Sequence, residues 1–416
     1  MIKFDKDVHG ALKALEKEGF ATYAAGECVK NLMLGLDAYD WDFLTEAELS
    51  DMKRIFPDAK VLKNGDGVRV VFAAEAEEGE DVILDMHHMT GTLEETLSAH
   101  PFAIEAMADN PERGFVDPFN GREDFQKQLI NLTQEPSELF KKNPICMLQA
   151  VRLAAETGFD LHKSIFEGIV ENWRLLLDGD ISQIREEFER LLITEHAGKG
   201  LSMLVGTQLI NVILGEEVVK KMSASESREF NVLCENIDKT QPVRLRRLGL
   251  VYAVFSKKRG LQAIERLQFD EKSYLHLHDA MVEMINIHFL TKEDSFKRYL
   301  YEVGLERYEY MHNLVKAQRI VYDQPTLKIE GRNYMMKKIK TNGEPVFVED
   351  LVIDANDLME AGIADTPEQA EMLLHMVVSR VHKDPKFNDR NHLLHMARKY
   401  AKNKLAAKLR NIDWVR

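Results

Sequence analysis

The stretch GLDAYDWDFLTEAE, residues 35–48, sets two carboxylates, Asp40 and Asp42, one residue apart. On a β-strand alternate side chains face the same way, so the two aspartates share one face and Trp41 takes the other. Carboxylates so placed repel each other unless a cation lies between them. Magnesium prefers such hard oxygen ligands and keeps water or phosphate in the rest of its shell. Two such ions about 4 Å apart can clamp the attacking and leaving oxygens of a phosphoryl transfer. Asp85, in the β-rich run VILDMHH, is the candidate for a third carboxylate on a neighbouring strand. Upstream, the small-residue turn Ala25-Gly26 leads into a helical pattern, and such a turn presents free N–H groups suited to a triphosphate. A D-x-D pair on its own also fits a solvated strand face, so its meaning depends on the elements around it.

Residues 5–19 have the period of an amphipathic helix, with Val8, Leu12 and Leu15 on one face. FATYAAGECVKNLMLG reads as strand, small-residue turn and helix, and WDFLT as a short strand. GVRVVFAAE and DVILDMHH form an expected hairpin across the acidic EAEEGED. Strand signals fade after about residue 132, and from Ser137 to about Ile320 the period is helical, as in CMLQAVRLAAETGF. Residues 327–348 hold short β-like runs around Gly331 and Gly343, and helices return from Ala355. The expected fold is an α+β head, a small mixed sheet with flanking helices, followed by a mostly α-helical neck, body and tail. The expected boundaries are 1–136 for the head, 137–200 for the neck, 201–325 for the body and 326–416 for the tail.

A chain of 416 residues with 45% hydrophobic content has room for several cores. No apolar run approaches the roughly 18 residues that a membrane span needs, and the charged N-terminus lacks a signal-peptide core. Cys28, Cys146 and Cys234 are distant and odd in number, which points to reduced thiols in a cytoplasmic protein; the C-x-x-C spacing of a zinc site is absent. The net charge of −14 excludes a protein coated all over in nucleic acid. From Lys383 to Arg416, however, ten Lys/Arg face three Asp/Glu, so a tail of +7 follows a body of −21. Arg398, Lys399, Lys402, Lys404 and Lys408 recur there at helical spacing, either as an RNA-contacting surface or as a solvated basic helix.

The order of small-residue turn, helix ending in LMLG, D-x-D and Thr45 resembles the head of the CCA-adding tRNA nucleotidyltransferase and bacterial poly(A) polymerase family, with its polymerase-β-like fold. Further stretches are similar in the same order: TLEETLSAHPFAIEAMA, VDPFNGREDFQKQLI, FKKNPICMLQAVRLAAETGF, ISQIREEFERLL, DLVIDANDLMEAGI and DPKFNDRNHLLHMARKY. The resemblance implies an RNA 3′-end nucleotidyltransferase. Asp40, Asp42 and Asp85 would hold two Mg²⁺, the donor would be ATP or CTP, and the acceptor tRNA or another RNA. At the family's nucleotide-handling positions stand Ala25, Gly26, Lys30, His100, Asn143, Cys146 and Gln149.

Departures fall on those chemical positions. The family's R-D after Val29 is Lys30-Asn31, its R-R-D is Ala99-His100-Pro101, and its E-D-x-x-R run reads Lys142-Asn143-Pro144-Ile145-Cys146. A cysteine offers one weak donor where arginine offers a planar fork, and each good bidentate base contact discriminates by about 1–3 kcal/mol. The expectation is therefore altered or relaxed nucleotide choice; the alternative is a catalytically impaired homologue that binds RNA. LHLHDAMVEM places His276, His278 and Asp279 as in a metal-binding HD motif, but is read as a helix with incidental histidines and no phosphodiesterase site. His87 and His88 are read as structural, and Arg244, Arg246, Arg247, Lys257, Lys258 and Arg259 as either RNA contacts or ordinary basic surface.

Overall fold

In the computed structural model, which describes residues 4–63, 65–74, 80–282, 287 and 290–402, the first helix follows from its spacing. Helix α1 (Lys6–Lys17) buries Val8, Ala11, Leu12 and Leu15 on one stripe, and Asp5 caps it by accepting from the Asp7 and Val8 amides. That stripe covers a seven-stranded sheet built from β1 (Thr22–Ala25), β2 (Asp40–Thr45), β3 (Lys60–Val61), β4 (Gly67–Phe72), β5 (Val82–His88), β6 (Ala108–Asn110) and β7 (Gly114–Val116). The strand order is β3-β4-β5-β2-β1-β6-β7. Strands β2 and β5 run parallel; the other neighbouring pairs are antiparallel.

Helices α2 (Glu27–Met33) and α3 (Leu49–Ile55) join α1 over the same face. Strand alternation sends Trp41, Phe43, Val68, Leu84 and Met86 into the core with Leu12, Val29 and Met52. Each such buried side chain stabilises the fold by roughly 1.5–3 kcal/mol. The same alternation commits the intervening residues, Asp42, Arg69, Asp85 and His87, to the opposite face. The expected hairpin is present as the antiparallel β4–β5 pair; residues 75–79 of its connection lie outside the described residues.

Gly67 fixes this part of the sheet. It pairs with His87, and a Cβ there would lie 1.9 Å from the Met86 carbonyl oxygen, which is backbone and cannot move aside. Gly67→Ala should therefore destabilise the head by about 1–3 kcal/mol through overpacking. A denaturant melt checks this: an unchanged midpoint would show that β4 has slack against β5.

Beyond the sheet come α4 (Leu93–Leu97), α5 (Gly121–Lys127), α6 (Pro136–Lys142), α7 (Cys146–Thr157), α8 (Lys163–Asn172), α9 (Ile181–Leu192) and α10 (Ala197–Gly206). Two short strands, Leu129–Ile130 and Asp160–Leu161, pair in parallel beside α7. Arg152 ties α7 to α9, donating from Nε to Glu187 at 2.7 Å and from Nη1 to Glu156 at 2.7 Å. All of this lies in one compact unit, which runs to Asp238 and takes in Pro242–Arg244 and Glu265–Phe269.

The other unit holds Lys239–Gln241, Leu245–Ile264 and the chain from Asp270 on. It is helical, with one core around Phe296, Tyr308, Met311, Val315 and Ile339. A second core gathers Leu358, Leu373, Val377, Val381, Leu393 and Ala397. The β-like runs expected from 327 to 348 are not strands: Leu327–Asn342 is a helix that stops at Gly343, φ +59°. Its opening alternation, LKIE, has strand period, but its buried residues Ile329, Arg332 and Ile339 are spaced by whole helical turns.

Candidate metal centre

The sheet register builds the site. Asp42 lies directly opposite Asp85 across the parallel β2–β5 pair, and Asp85 lies opposite Arg69 across β4–β5. On the other side Ala25 lies opposite Asp42, so the turn at Gly26 enters α2 beside the first carboxylate. Asp42, Asp85 and His87 each point a ligand atom into one spot, all within 4.8 Å of one another. His87 reaches the spot because it is two residues from Asp85 on β5 and so shares its face; its Nε2 is 3.6 Å from Asp42 Oδ1. His87, read from the sequence as structural, thus lies within the candidate cluster.

Two close carboxylates need compensation, and the protein supplies part of it. Arg69 donates to both oxygens of Asp85, Nε to Oδ1 at 2.7 Å and Nη2 to Oδ2 at 2.6 Å. Attraction from the Asp42 carboxylate, foremost, raises the His87 pKa above its ordinary 6.5. Asp40 is exposed at the start of β2, paired in register with Ile83, and stands outside the three-residue cluster. The two oxygen ligands and one imidazole fit a divalent cation, and the half-exposed Asp42 leaves the spot open to solvent and substrate.

The residues expected to grip and read a nucleotide are placed differently from expectation. The Gly26 N–H donates to the Met107 carbonyl at 3.2 Å, so it belongs to the backbone ladder rather than to a ligand. Lys30 does not reach the site face. Its side chain is wholly buried, paired with Glu156 and within 3.6 Å of both Glu27 and Glu105. The Cys146 side chain is also fully buried, and burial pushes its thiol pKa up to about 11, so it presents no base-reading edge. Asn143 is exposed after α6, and Gln149 is half-buried on α7. Ala25 is buried at the end of β1. His100 does sit at the turn: a Cβ on Gly26 would lie 3.3 Å from its Cε1 and 4.0 Å from Asp42 Oδ2. Burial holds its imidazole below the ordinary range, with the Asp42 charge opposing this.

Farther along, Arg398, Lys399 and Lys402 are exposed on the helix Arg390–Lys402, opposite the buried Leu393 and Ala397. Lys404 and Lys408 lie outside the described residues. Arg247 is no RNA contact in this fold. It is buried at 2% exposure and donates to the Thr240 carbonyl, while Arg244 pairs with Glu189 at 2.6 Å. Asp279 is held by Arg307 through two bonds of 2.6 and 2.5 Å, and His276 Nδ1 lies 2.8 Å from the Lys272 carbonyl.

A mixed sheet that sets neighbouring carboxylates on its open face, beside a strand–turn–helix, has the layout expected of a nucleotidyltransferase-like head. Residues 158–222 match a family profile described as the probable RNA and SrmB-binding site of polymerase A. The chain is 31% identical over 228 residues to the CCA-adding enzyme of Lactobacillus helveticus, which covers 50% of this chain and 57% of that protein. It is 30% identical over 217 residues to the CCA-adding enzyme of Limosilactobacillus reuteri, covering 50% and 54%. The match thus spans about half the length of the curated relatives. In fold the chain is similar to the Bacillus stearothermophilus CCA-adding enzyme in complex with CTP, with a TM-score of 0.76 and 20% identity over 98% of this chain and 99% of the other. The Thermotoga maritima CCA-adding enzyme complexed with tRNA aligns with a TM-score of 0.62 and 18% identity, over 97% and 96%. The chain is thus similar in sequence, over about half its length, and in fold, over nearly all of it, to CCA-adding enzymes.

Sequence reasoning missed His87 and Arg69. The i, i+2 spacing of Asp85 and His87 was a usable signal for the first. Arg69 could be found only by knowing which residue of β4 faces Asp85.

Proposed function

We propose that the protein transfers a nucleoside monophosphate from ATP or CTP to the 3′-hydroxyl of tRNA or a related RNA, in the cytoplasm, with weakened nucleotide choice. The observation that carries this reading is the register that sets Asp42 beside Asp85 on an open sheet face. Relatives described as CCA-adding enzymes, in complex with CTP and with tRNA, support the donor and acceptor. Two divalent cations are proposed, where the family resemblance implies Mg²⁺, one at Asp42 and Asp85 and one toward Asp40. When bound, they would neutralise phosphate charge and favour ionisation of the attacking hydroxyl. Arg69 fixes the rotamer of Asp85 through its two bonds. His100, whose imidazole pKa burial lowers, walls the turn at Gly26. The exposed faces of Arg398, Lys399 and Lys402 are proposed to meet the RNA backbone.

Nucleotide choice should be weak because Cys146 is buried and Asn143 lies outside any helix. Purified protein should extend tRNA that lacks its terminal nucleotides when given a divalent cation and labelled nucleotides one at a time. Discrimination between CTP or ATP and the other nucleotides should fall short of a full-motif relative by about 1–3 kcal/mol per lost base contact. No extension with any nucleotide, where that relative extends, would overturn the reading and leave a catalytically silent RNA-binding homologue.

A further inference from the structure

The cluster at the Asp42–Asp85 pair also contains a nitrogen donor. His87 turns Nε2 toward Asp42, and its other ring nitrogen, Nδ1, lies 3.7 Å from Asp66 Oδ1. Imidazole ligands of metal ions characteristically hold their second nitrogen toward a carboxylate, which fixes tautomer and ring orientation. Here the two halves of that arrangement come from different elements: Asp66 precedes β4, His87 lies near the end of β5, and Asp42 and Asp85 face the same spot from β2 and β5. Arg69 likewise orients Asp85. A carboxylate has about four lone-pair positions, so two bonds from one guanidinium leave acceptors for an ion.

Resting on the reading that this sheet face binds a divalent cation, we propose that His87 is a direct ligand, and that the Asp42–Asp85–His87 position takes a first-row transition cation of the manganese class in preference to magnesium. Magnesium demands near-ideal oxygen octahedra and gains little from a nitrogen donor. Imidazole suits first-row transition ions, and the two carboxylates hold the set at the hard end, where manganese sits.

The test uses the full chain with Mn²⁺ or Mg²⁺ alone, without nucleotide or RNA. Calorimetric titration gives both affinities, and electron spin-echo modulation of bound Mn²⁺ detects a directly coordinated imidazole nitrogen. The wild-type protein should show that nitrogen signal, and His87→Gln should lose it. The variant's ratio of Mn²⁺ to Mg²⁺ affinity should fall at least about tenfold, since loss of even a ligand's supporting partner costs 10–100-fold. Asp66→Asn should retain the nitrogen signal with weakened Mn²⁺ binding. A wild-type Mn²⁺ complex without nitrogen modulation, or a ratio unchanged in His87→Gln, overturns the proposal while leaving the carboxylate site in place. If Asp42→Asn leaves binding of both ions intact, the underlying site reading fails instead.

Discussion

Asp42→Asn should abolish nucleotide transfer while leaving the fold intact. The change is nearly isosteric, and the side chain is 47% exposed on the sheet face away from the core of Trp41, Phe43 and Leu84. Surface changes of this kind usually move stability by no more than about 0.5 kcal/mol. Its electrostatic consequence is much larger. Asp42 is the residue that both neighbours of the site converge on: it lies opposite Asp85 in the sheet and within 3.6 Å of His87. Removing one preorganised charge-stabilising group from a catalytic site commonly costs about 10²–10³ in rate, and Asp42 also belongs to the three-residue cluster proposed to hold a cation. A loss of at least about 10³ in kcat/KM for tRNA extension is therefore expected, with a circular-dichroism melt matching the wild type. Asp40→Asn should reduce transfer as well, through the position outside the three-residue cluster. Transfer that survives in both variants would show that this sheet face is not where the reaction takes place.

Local periodicity carried much of the fold into the sequence. The stripe Val8, Leu12, Leu15 gave α1 because a helix repeats every 3.6 residues, and the D-W-D-F alternation put Asp40 and Asp42 on the face opposite Trp41 because a strand repeats every two. The β4–β5 hairpin was legible for the same reason. What stayed hidden depends on which strand lies next to which. Strands β2 and β5 are parallel and separated by α3 and two further strands, so nothing local states that Asp42 meets Asp85, or that Arg69 meets Asp85 in turn. The reading of 327–348 failed in the opposite direction: a few alternating residues imitated a strand, and only burial at Ile329, Arg332 and Ile339 reveals the helix. Lys30 misled because a lysine near a small-residue turn looks like a phosphate ligand. Its actual partners, Glu105 in the turn 103–105 and Glu156 on α7, lie far along the chain and become its neighbours only on folding.

That placement makes Lys30 a stability residue, and Lys30→Met the decisive variant. The wild-type ammonium has no exposure and is shared among Glu27, Glu105 and Glu156; Glu156 is in turn bound by Arg152. Methionine matches the length of the stem but removes the charge, leaving the carboxylates of Glu105 and Glu156 without their common partner. Breaking a buried ion pair from one side typically destabilises by about 3–5 kcal/mol, because the remaining charge is uncompensated. A urea melt should show a loss of that size. Glu105→Gln in the same chain should recover part of it, since burial already raises the Glu105 pKa and its neutral form needs no counterion. The pH dependence gives an independent check. Burial works against charge on Lys30, but Glu156 and then Glu105 outweigh it and raise its pKa above 10.5. The folded state therefore holds this proton more tightly than the unfolded chain does. Its contribution is complete below 10.5 and is lost as pH rises through the higher folded value. Wild-type stability should fall over that alkaline range by more than the stability of Lys30→Met does. If Lys30 served the triphosphate instead, Lys30→Met would raise KM for the nucleotide and leave both the melt and its alkaline slope unchanged.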